Sequence, residues 1–257
     1  MPEHDGARWV DSHCHLQLEG GDEHVARAHA AGVEWMVCVG TDLETSEAAA
    51  MLAGRHPDVY AAVGLHPHDA SKLAVEWDML EALAVSDACI AVGECGFDLF
   101  YEHSPRDEQE TAFRFQIRLA QRTRKPLVIH SRDAWTDTFR VLDDEGVPER
   151  TIFHCFTGGP EEATSALERG CYLSFSGIVS FKNAESLRDA ARVAPSDRIL
   201  VETDSPFLTP EPFRGKTNEP ALVVAVGAAL ARARGVEPEE IAEQTRANAE
   251  RVFGVER

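Results

Sequence analysis

The sequence predicts an α/β fold, a (β/α)8 TIM barrel built as a single domain. Eight short apolar or β-branched runs recur along the 257 residues, and a helical stretch follows each. Histidines and carboxylates gather where those runs end, which in such barrels is the face that carries chemistry. A doubly wound open sheet is the nearest competitor. That fold more often binds a nucleotide at one glycine-rich first turn, and no GxGxxG follows any strand here.

In chain order, the strand candidates are RWVDSHCH, WMVCVG, VYAAVG, CIAVGE, LVIHS, TIFHC, YLSFSG and ILVETD, all of strand length. The helical stretches begin with EHVARAHAAG after the first strand and TSEAAAMLAGRH after the second. WDMLEALAVS follows the third and RDEQETAFRFQIRLAQRT the fourth. DAWTDTFRVLDDEG, PEEATSALERG and NAESLRDAARVA come next. After the eighth strand lie a proline-rich loop, EPALVVAVGAALARARG and a last helix EPEEIAEQTRANAERVF. Gly32, Gly54, Gly146 and Gly170 fall where helices are expected to stop. The run ALVVAVGAALA is too short to span a bilayer and reads as a buried helix. There is no linker, fixed-length repeat or low-complexity tract, so one barrel domain is expected over residues 1–257.

A hydrophobic content of 44% supports a sizeable core. The start, MPEHDGARWV, has neither a basic nor an apolar region, so no export signal is read and a cytoplasmic protein is expected. None of the six cysteines forms a CxxC pair, and buried free thiols are expected. The net charge of −19 opposes binding of a long polyanion such as duplex DNA. It leaves room for a nucleic-acid end entering a local, metal-charged pocket.

The first strand carries DSHCH. On an extended strand His13 and His15 share a face and Cys14 takes the other. Two convergent imidazoles suit a divalent transition metal, although the pair alone is a weak signal. Further donors stand at the other strand ends: His66 and His68 in GLHPHD, Glu94 in GECGFD with Asp98 in the loop beyond, His130, His154, and Glu202 and Asp204 in ETDSPFL. Gathering so many polar groups in one buried place is costly unless something binds them. Two adjacent divalent cations would satisfy them. His13, His15 and Asp204 would hold one, His130 and His154 the other. Glu94 would bridge ions about 3.5–4 Å apart. Asp204 is the expected general base, and Glu202 could orient a ligand from behind. His66 and Arg132 are candidate phosphate ligands. His68 is expected to be structural, and His103, which could reach the mouth, is expected to lie on the surface. Arg214 and Lys216 add positive charge near the mouth. Four imidazoles and two carboxylates suit Zn, Mn, Fe or Ni better than Mg.

The motifs DSHCH, GLHPH, GECGFD, PLVIHSRDA, FHCFTG and ETDSPFL resemble the TatD-type metal-dependent deoxyribonucleases of the metal-dependent hydrolase superfamily. The resemblance runs from the first strand to TRANAERVF. In that family, the positions matching His13, His15, Glu94, His130, His154 and Asp204 bind two divalent cations, and the family is usually described as magnesium-dependent. Cys95 replaces an expected aliphatic residue and should face away from Glu94. The resemblance implies a phosphodiester hydrolase, a 3'-5' exonuclease acting on DNA or RNA ends. The alternative on the same scaffold is a C–N or C–O hydrolase: an amidohydrolase, a lactonase or an aminoacyl-tRNA deacylase. Many such relatives bridge their metals with a carbamylated lysine. Here the only lysine near the strands is Lys125, five residues before His130 and so roughly 16 Å away at the other end of the barrel. A metal-loaded scaffold without activity is disfavoured because the ligand set is complete.

Overall fold

The computed structural model describes residues 6–18 and 20–256. Residues 1–5, which carry part of the expectation about the amino-terminal segment, lie outside the described residues. The strands are β1 (Trp9–Cys14), β2 (Val33–Val39), β3 (Val59–Val63), β4 (Cys89–Asp98), β5 (Leu127–Arg132), β6 (Thr151–Phe153), β7 (Tyr172–Phe175) and β8 (Ile199–Val201). They form one parallel sheet in sequence order, each joined to the next by a helical connection. The ring closes beyond the end of β8: Asp204 N–H donates to the His13 carbonyl at 2.9 Å, and His15 N–H to the Ser205 carbonyl at 2.8 Å.

The helices are α1 (Gly21–Ala30), α2 (Leu43–Arg55), α3 (Leu73–Val85), α4 (Arg106–Thr123), α5 (Trp135–Glu145), α6 (Pro160–Glu168), α7 (Glu185–Val193), α8 (Val223–Arg234) and α9 (Pro238–Phe253). Each matches an expected helical stretch, with shifts at the ends. Gly32, Gly146 and Gly170 follow helices at positive φ, as expected. Gly54 does not: it lies inside α2, which runs on to Arg55 and stops at His56, the residue before Pro57.

The barrel interior explains where the site lies. Val10, Trp35, Ala62, Ala91, Val128, Ile152, Tyr172 and Leu200 supply one residue from each strand to a single buried cluster. Residues from eight strands can meet this way only inside the ring. Ala249, Val252 and Phe253 of α9, with Val255 just beyond it, pack against this cluster and plug that end. The strand period of two then carries the same inward face upward, from Val128 to His130, from Ile152 to His154 and from Leu200 to Glu202. A second, larger cluster packs the outer strand faces against the helices. All six cysteines are free, five of them buried.

Two strands depart from simple alternation. Asp11 and Cys14 of β1 pair with Met36 and Cys38 of β2, so three steps face two. The same happens where Val92 and Cys95 of β4 face Leu127 and Ile129 of β5. The β4 irregularity depends on glycine. Gly93 and Gly96 sit at φ 131° and 127°. A Cβ on Gly93 would collide with the Val128 carbonyl, and one on Gly96 with the His130 carbonyl. The motif GECG thus lets β4 press against β5 while Glu94 turns inward. β4 also runs further than expected: Asp98, placed in a loop from the sequence, is its last residue.

Candidate metal centre

At the carboxyl end of the barrel His13, His15, Glu94, His130, His154 and Asp204 come together. His13 Nε2 lies 3.4 Å from His15 Nε2. Asp204 Oδ1 is 3.3 Å from His15 Nε2 and 3.8 Å from His13 Nε2. The two oxygens of Glu94 face different neighbours. Oε1 is 3.7 Å from His15 Nε2, whereas Oε2 is 2.7 Å from His154 Nε2 and 3.9 Å from both His130 Nδ1 and His13 Nε2. His130 Nδ1 and His154 Nε2 are 3.2 Å apart.

Outer contacts decide which nitrogen of each ring is left over. His15 Nδ1 donates to the Val39 carbonyl at 2.8 Å, leaving Nε2 as a lone pair. His154 Nδ1 faces Glu202 Oε1 at 3.3 Å, again leaving Nε2. His130 Nε2 donates to Asp98 Oδ2 at 3.1 Å, leaving Nδ1. The leftover atoms all point at the same small space, where lone pairs repel unless a proton or a cation sits between them. Glu94 Oε2, despite its 2.7 Å approach to His154, makes no aligned hydrogen bond, and His13 Nδ1 also has no partner. Two donors bonded to one tetrahedral ion at about 2.0–2.1 Å stand about 3.3 Å apart. The separations around Glu94 and Asp204, from 2.7 to 3.9 Å, bracket that value. A buried, under-satisfied set of nitrogen and oxygen donors at this spacing fits divalent cations. His13, His15 and Glu94 form one group able to hold a metal, and His66, Glu94 and His130 another.

Charge in the cluster follows from this crowding. Burial raises the Glu94 carboxyl, but the facing imidazoles, His154 foremost, outweigh it and hold it well below the usual carboxylate range. Burial lowers His154, yet the charge of Glu94 and the facing Glu202 carboxylate outweigh it and raise the ring well above an ordinary imidazole. His13 is pushed well down by burial and by His154.

His66 takes a different part. Its Nδ1 accepts the His68 N–H at 3.0 Å, so the neutral ring carries its proton on Nε2 and presents a donor. Arg132 makes no ion pair with Asp133 or any other carboxylate among the described residues. Its guanidinium lies over the rings of Phe100 and Tyr101, 4.1 and 4.7 Å from their centroids. His68, expected to be structural, donates through Nε2 to Asp98 at 3.0 Å and stacks on His103 with ring centroids 4.4 Å apart. Arg214 bonds the Thr209 carbonyl and covers Phe181, and Lys216 lies over Phe213.

Three supporting groups were not assigned from sequence. Asp98 accepts from His130, His68 and the backbone of Phe100 and Tyr101. Counting in twos from Glu94 along β4 would have found it. Asp11 accepts from Thr203 N–H at 2.8 Å and from the Thr203 hydroxyl, pinning the turn that holds Asp204. Burial pushes the Asp11 carboxyl up to about 8 against those two bonds. The Val39 carbonyl, a backbone atom, has no sequence signal at all. Glu202 reaches the site by another route than alternation with Asp204. β8 ends at Val201, Asp204 sits at φ 54°, and Glu202 accepts from Cys155 N–H at 2.7 Å while facing His154.

Comparison with known proteins decides the family. A family model described as "TatD related DNase" matches residues 10–254. The chain belongs to the TatD-related DNase family. Like the TatD proteins it resembles, it is a metal-dependent hydrolase with clusters of His and Glu able to bind metal. It is 41% identical to the metal-dependent hydrolase YabD of Bacillus subtilis over 95% of this chain and 98% of that one. It is 37% identical to the 3'-5' ssDNA/RNA exonuclease TatD of Citrobacter rodentium over 91% and 92% of the two chains. Among solved structures, the TatD homologue YjjV of Escherichia coli superposes with a TM-score of 0.88 at 28% identity, covering 97% of this chain and 99% of that one. No described helix is long and apolar enough to cross a membrane.

Proposed function

We propose that this TatD-family chain is a cytoplasmic two-cation phosphodiesterase that trims nucleic-acid ends, acting 3'-5' on single-stranded DNA or RNA. The observation that carries this reading is the central place of the Glu94 carboxylate, with Oε1 3.7 Å from His15 Nε2 and Oε2 2.7 Å from His154 Nε2 and 3.9 Å from both His13 Nε2 and His130 Nδ1. His13, His15 and Asp204 would hold one cation and His130 and His154 the second, with Glu94 between them. The nitrogen-rich set favours Zn, Mn, Fe or Ni over Mg. Bound there, such ions lower the pKa of water and neutralise charge on a phosphoryl group.

The chain's own residues supply the rest. Asp204 is the general base, its side chain still 13% exposed toward the mouth. Asp11 and the ring-closing backbone bonds keep its carboxylate from swinging away. His66 Nε2–H and the Arg132 guanidinium donate to phosphate oxygens, and among the described residues no carboxylate competes for Arg132. Glu202 and Asp98 hold His154 and His130 in the required tautomers. The name of the Citrobacter relative supports a strand end as substrate. Lys125 supports the choice against a carbamate-bridged amidase: its ammonium is tied to the Ala84 and Ser86 carbonyls, both at 2.7 Å.

The test is incubation of the purified protein with Mn or Mg and a 3'-labelled single-stranded oligonucleotide. Stepwise shortening from the 3' end is expected, with Glu94→Ala and Asp204→Ala each losing at least about a thousandfold, the order set by loss of an essential polar group. Turnover of amides or lactones with intact oligonucleotides would reverse the assignment.

A further inference from the structure

Four large aromatic side chains are exposed among the described residues: Phe100 (56%), Tyr101 (52%), Phe115 (38%) and Phe207 (54%). Phe115 lies on α4 and packs against Trp77. The other three stand on two loops beside the donor cluster. Phe207 follows β8, and its ring centroid is 6.0 Å from that of His15. Phe100 and Tyr101 follow β4, and the Tyr101 ring lies 5.6 Å from that of His68, which shares Asp98 with the His130 ligand candidate. In a ring of eight strands in sequence order, β4 and β8 face one another across the mouth.

Exposed apolar side chains grouped beside polar residues at one mouth mark an interaction site more often than scattered single ones do. Burial as ordinary core does not account for them, since each leaves about half its surface open. A protein carrying −19 charges pairs many of its arginines with carboxylates, yet among the described residues Arg132 has no carboxylate partner and lies on the Phe100–Tyr101 ledge. A planar cation stacked over half-exposed rings, next to a site for phosphate, is a combination that can hold a nucleotide: base on the remaining ring surface, phosphate on the guanidinium edge.

Resting on the phosphodiesterase reading, we propose that Phe207 and the Phe100–Tyr101 ledge are base-stacking sites for the two nucleotides on either side of the scissile phosphate. Stacking reads only the flat face of a base, so the enzyme would accept any sequence while requiring unpaired bases. Bases in a duplex are already stacked on each other and cannot also cover protein rings.

The experiment compares kcat/KM on a single-stranded oligodeoxynucleotide with that on the same strand carrying abasic residues at its last two positions. The wild type is expected to prefer the base-bearing strand by tenfold or more, the order that one or two stacked bases confer. Phe207→Ala and Tyr101→Ala should each reduce that preference about tenfold, chiefly through KM, and Phe207→Trp should restore it. An unchanged preference in both alanine variants would overturn the inference, as would equal loss on the two strands, which marks a purely structural role. A wild type that cleaves both strands equally refutes stacking alone. A wild type that cleaves neither refutes the phosphodiesterase reading itself.

Discussion

At the scale of single residues, the site is organised by what stands behind the ligands. Asp98 is the clearest case. One of its oxygens accepts two backbone N–H groups, while the other accepts His68 and His130. Burial raises its carboxyl, but the His130 and Tyr101 hydrogen bonds and the His130 charge outweigh this and hold it well below the usual range. In Asp98→Asn the amide nitrogen cannot accept from His130, so the ring loses its fixed tautomer. Affinity for the second cation is expected to fall about 10–100-fold, read by metal titration calorimetry, with the first little changed. His154 gives a pH prediction. Its folded pKa is raised, so its proton stabilises the metal-free fold below the ordinary imidazole value, and that stabilisation fades as pH rises through the folded value. A cation must displace this proton from Nε2. Apparent metal affinity should therefore climb about tenfold per pH unit from about 6.5 upward, levelling once the folded pKa is passed. A flat profile in a chelator competition assay would contradict it.

At the scale of elements, the eight strands and nine helices were legible because hydrophobic period and turn residues agree along the whole chain. The six donor residues were legible too, since strand ends are where a barrel keeps its polar groups. The bulges in β1 and β4 were not. A register shift depends on which backbone groups the neighbouring strand offers, and GECG reads equally well as a plain strand end. Asp98 was placed in a loop because the strand was ended at Glu94, whereas β4 runs on to Asp98 and brings its carboxylate to His130. Gly54 marks the reverse error: helix α2 runs through it to Arg55, because a glycine inside a helix costs only about 1 kcal/mol relative to alanine and does not by itself end one. Gly96 offers the test. A side chain there meets the His130 carbonyl at a φ that L-residues resist. Gly96→Ala is expected to cost about 1–3 kcal/mol in urea unfolding and to reduce bound metal, whereas Gly54→Ala should be neutral or stabilising.

At the scale of the whole molecule, an acidic chain is asked to take an anionic substrate. The negative field repels a long polynucleotide, while the mouth offers Arg132 and the proposed cations. Added salt screens repulsion over distances beyond about 8–10 Å but hardly touches contacts made inside the site. Raising monovalent salt from about 50 to about 200 mM should thus lower KM for a long single strand relative to a trinucleotide, the opposite of a basic nuclease that loses phosphate contacts. A steep rise in KM would mean that the surface, not the centre, captures the strand.

The paired-cation centre itself is tested most directly by a crystal of the Mn-loaded protein measured at the manganese absorption edge. Two anomalous peaks about 3.5–4 Å apart are expected, one bonded by His13, His15 and Asp204, the other by His130 and His154, with Glu94 touching both. A single peak, or peaks away from Glu94, would contradict it.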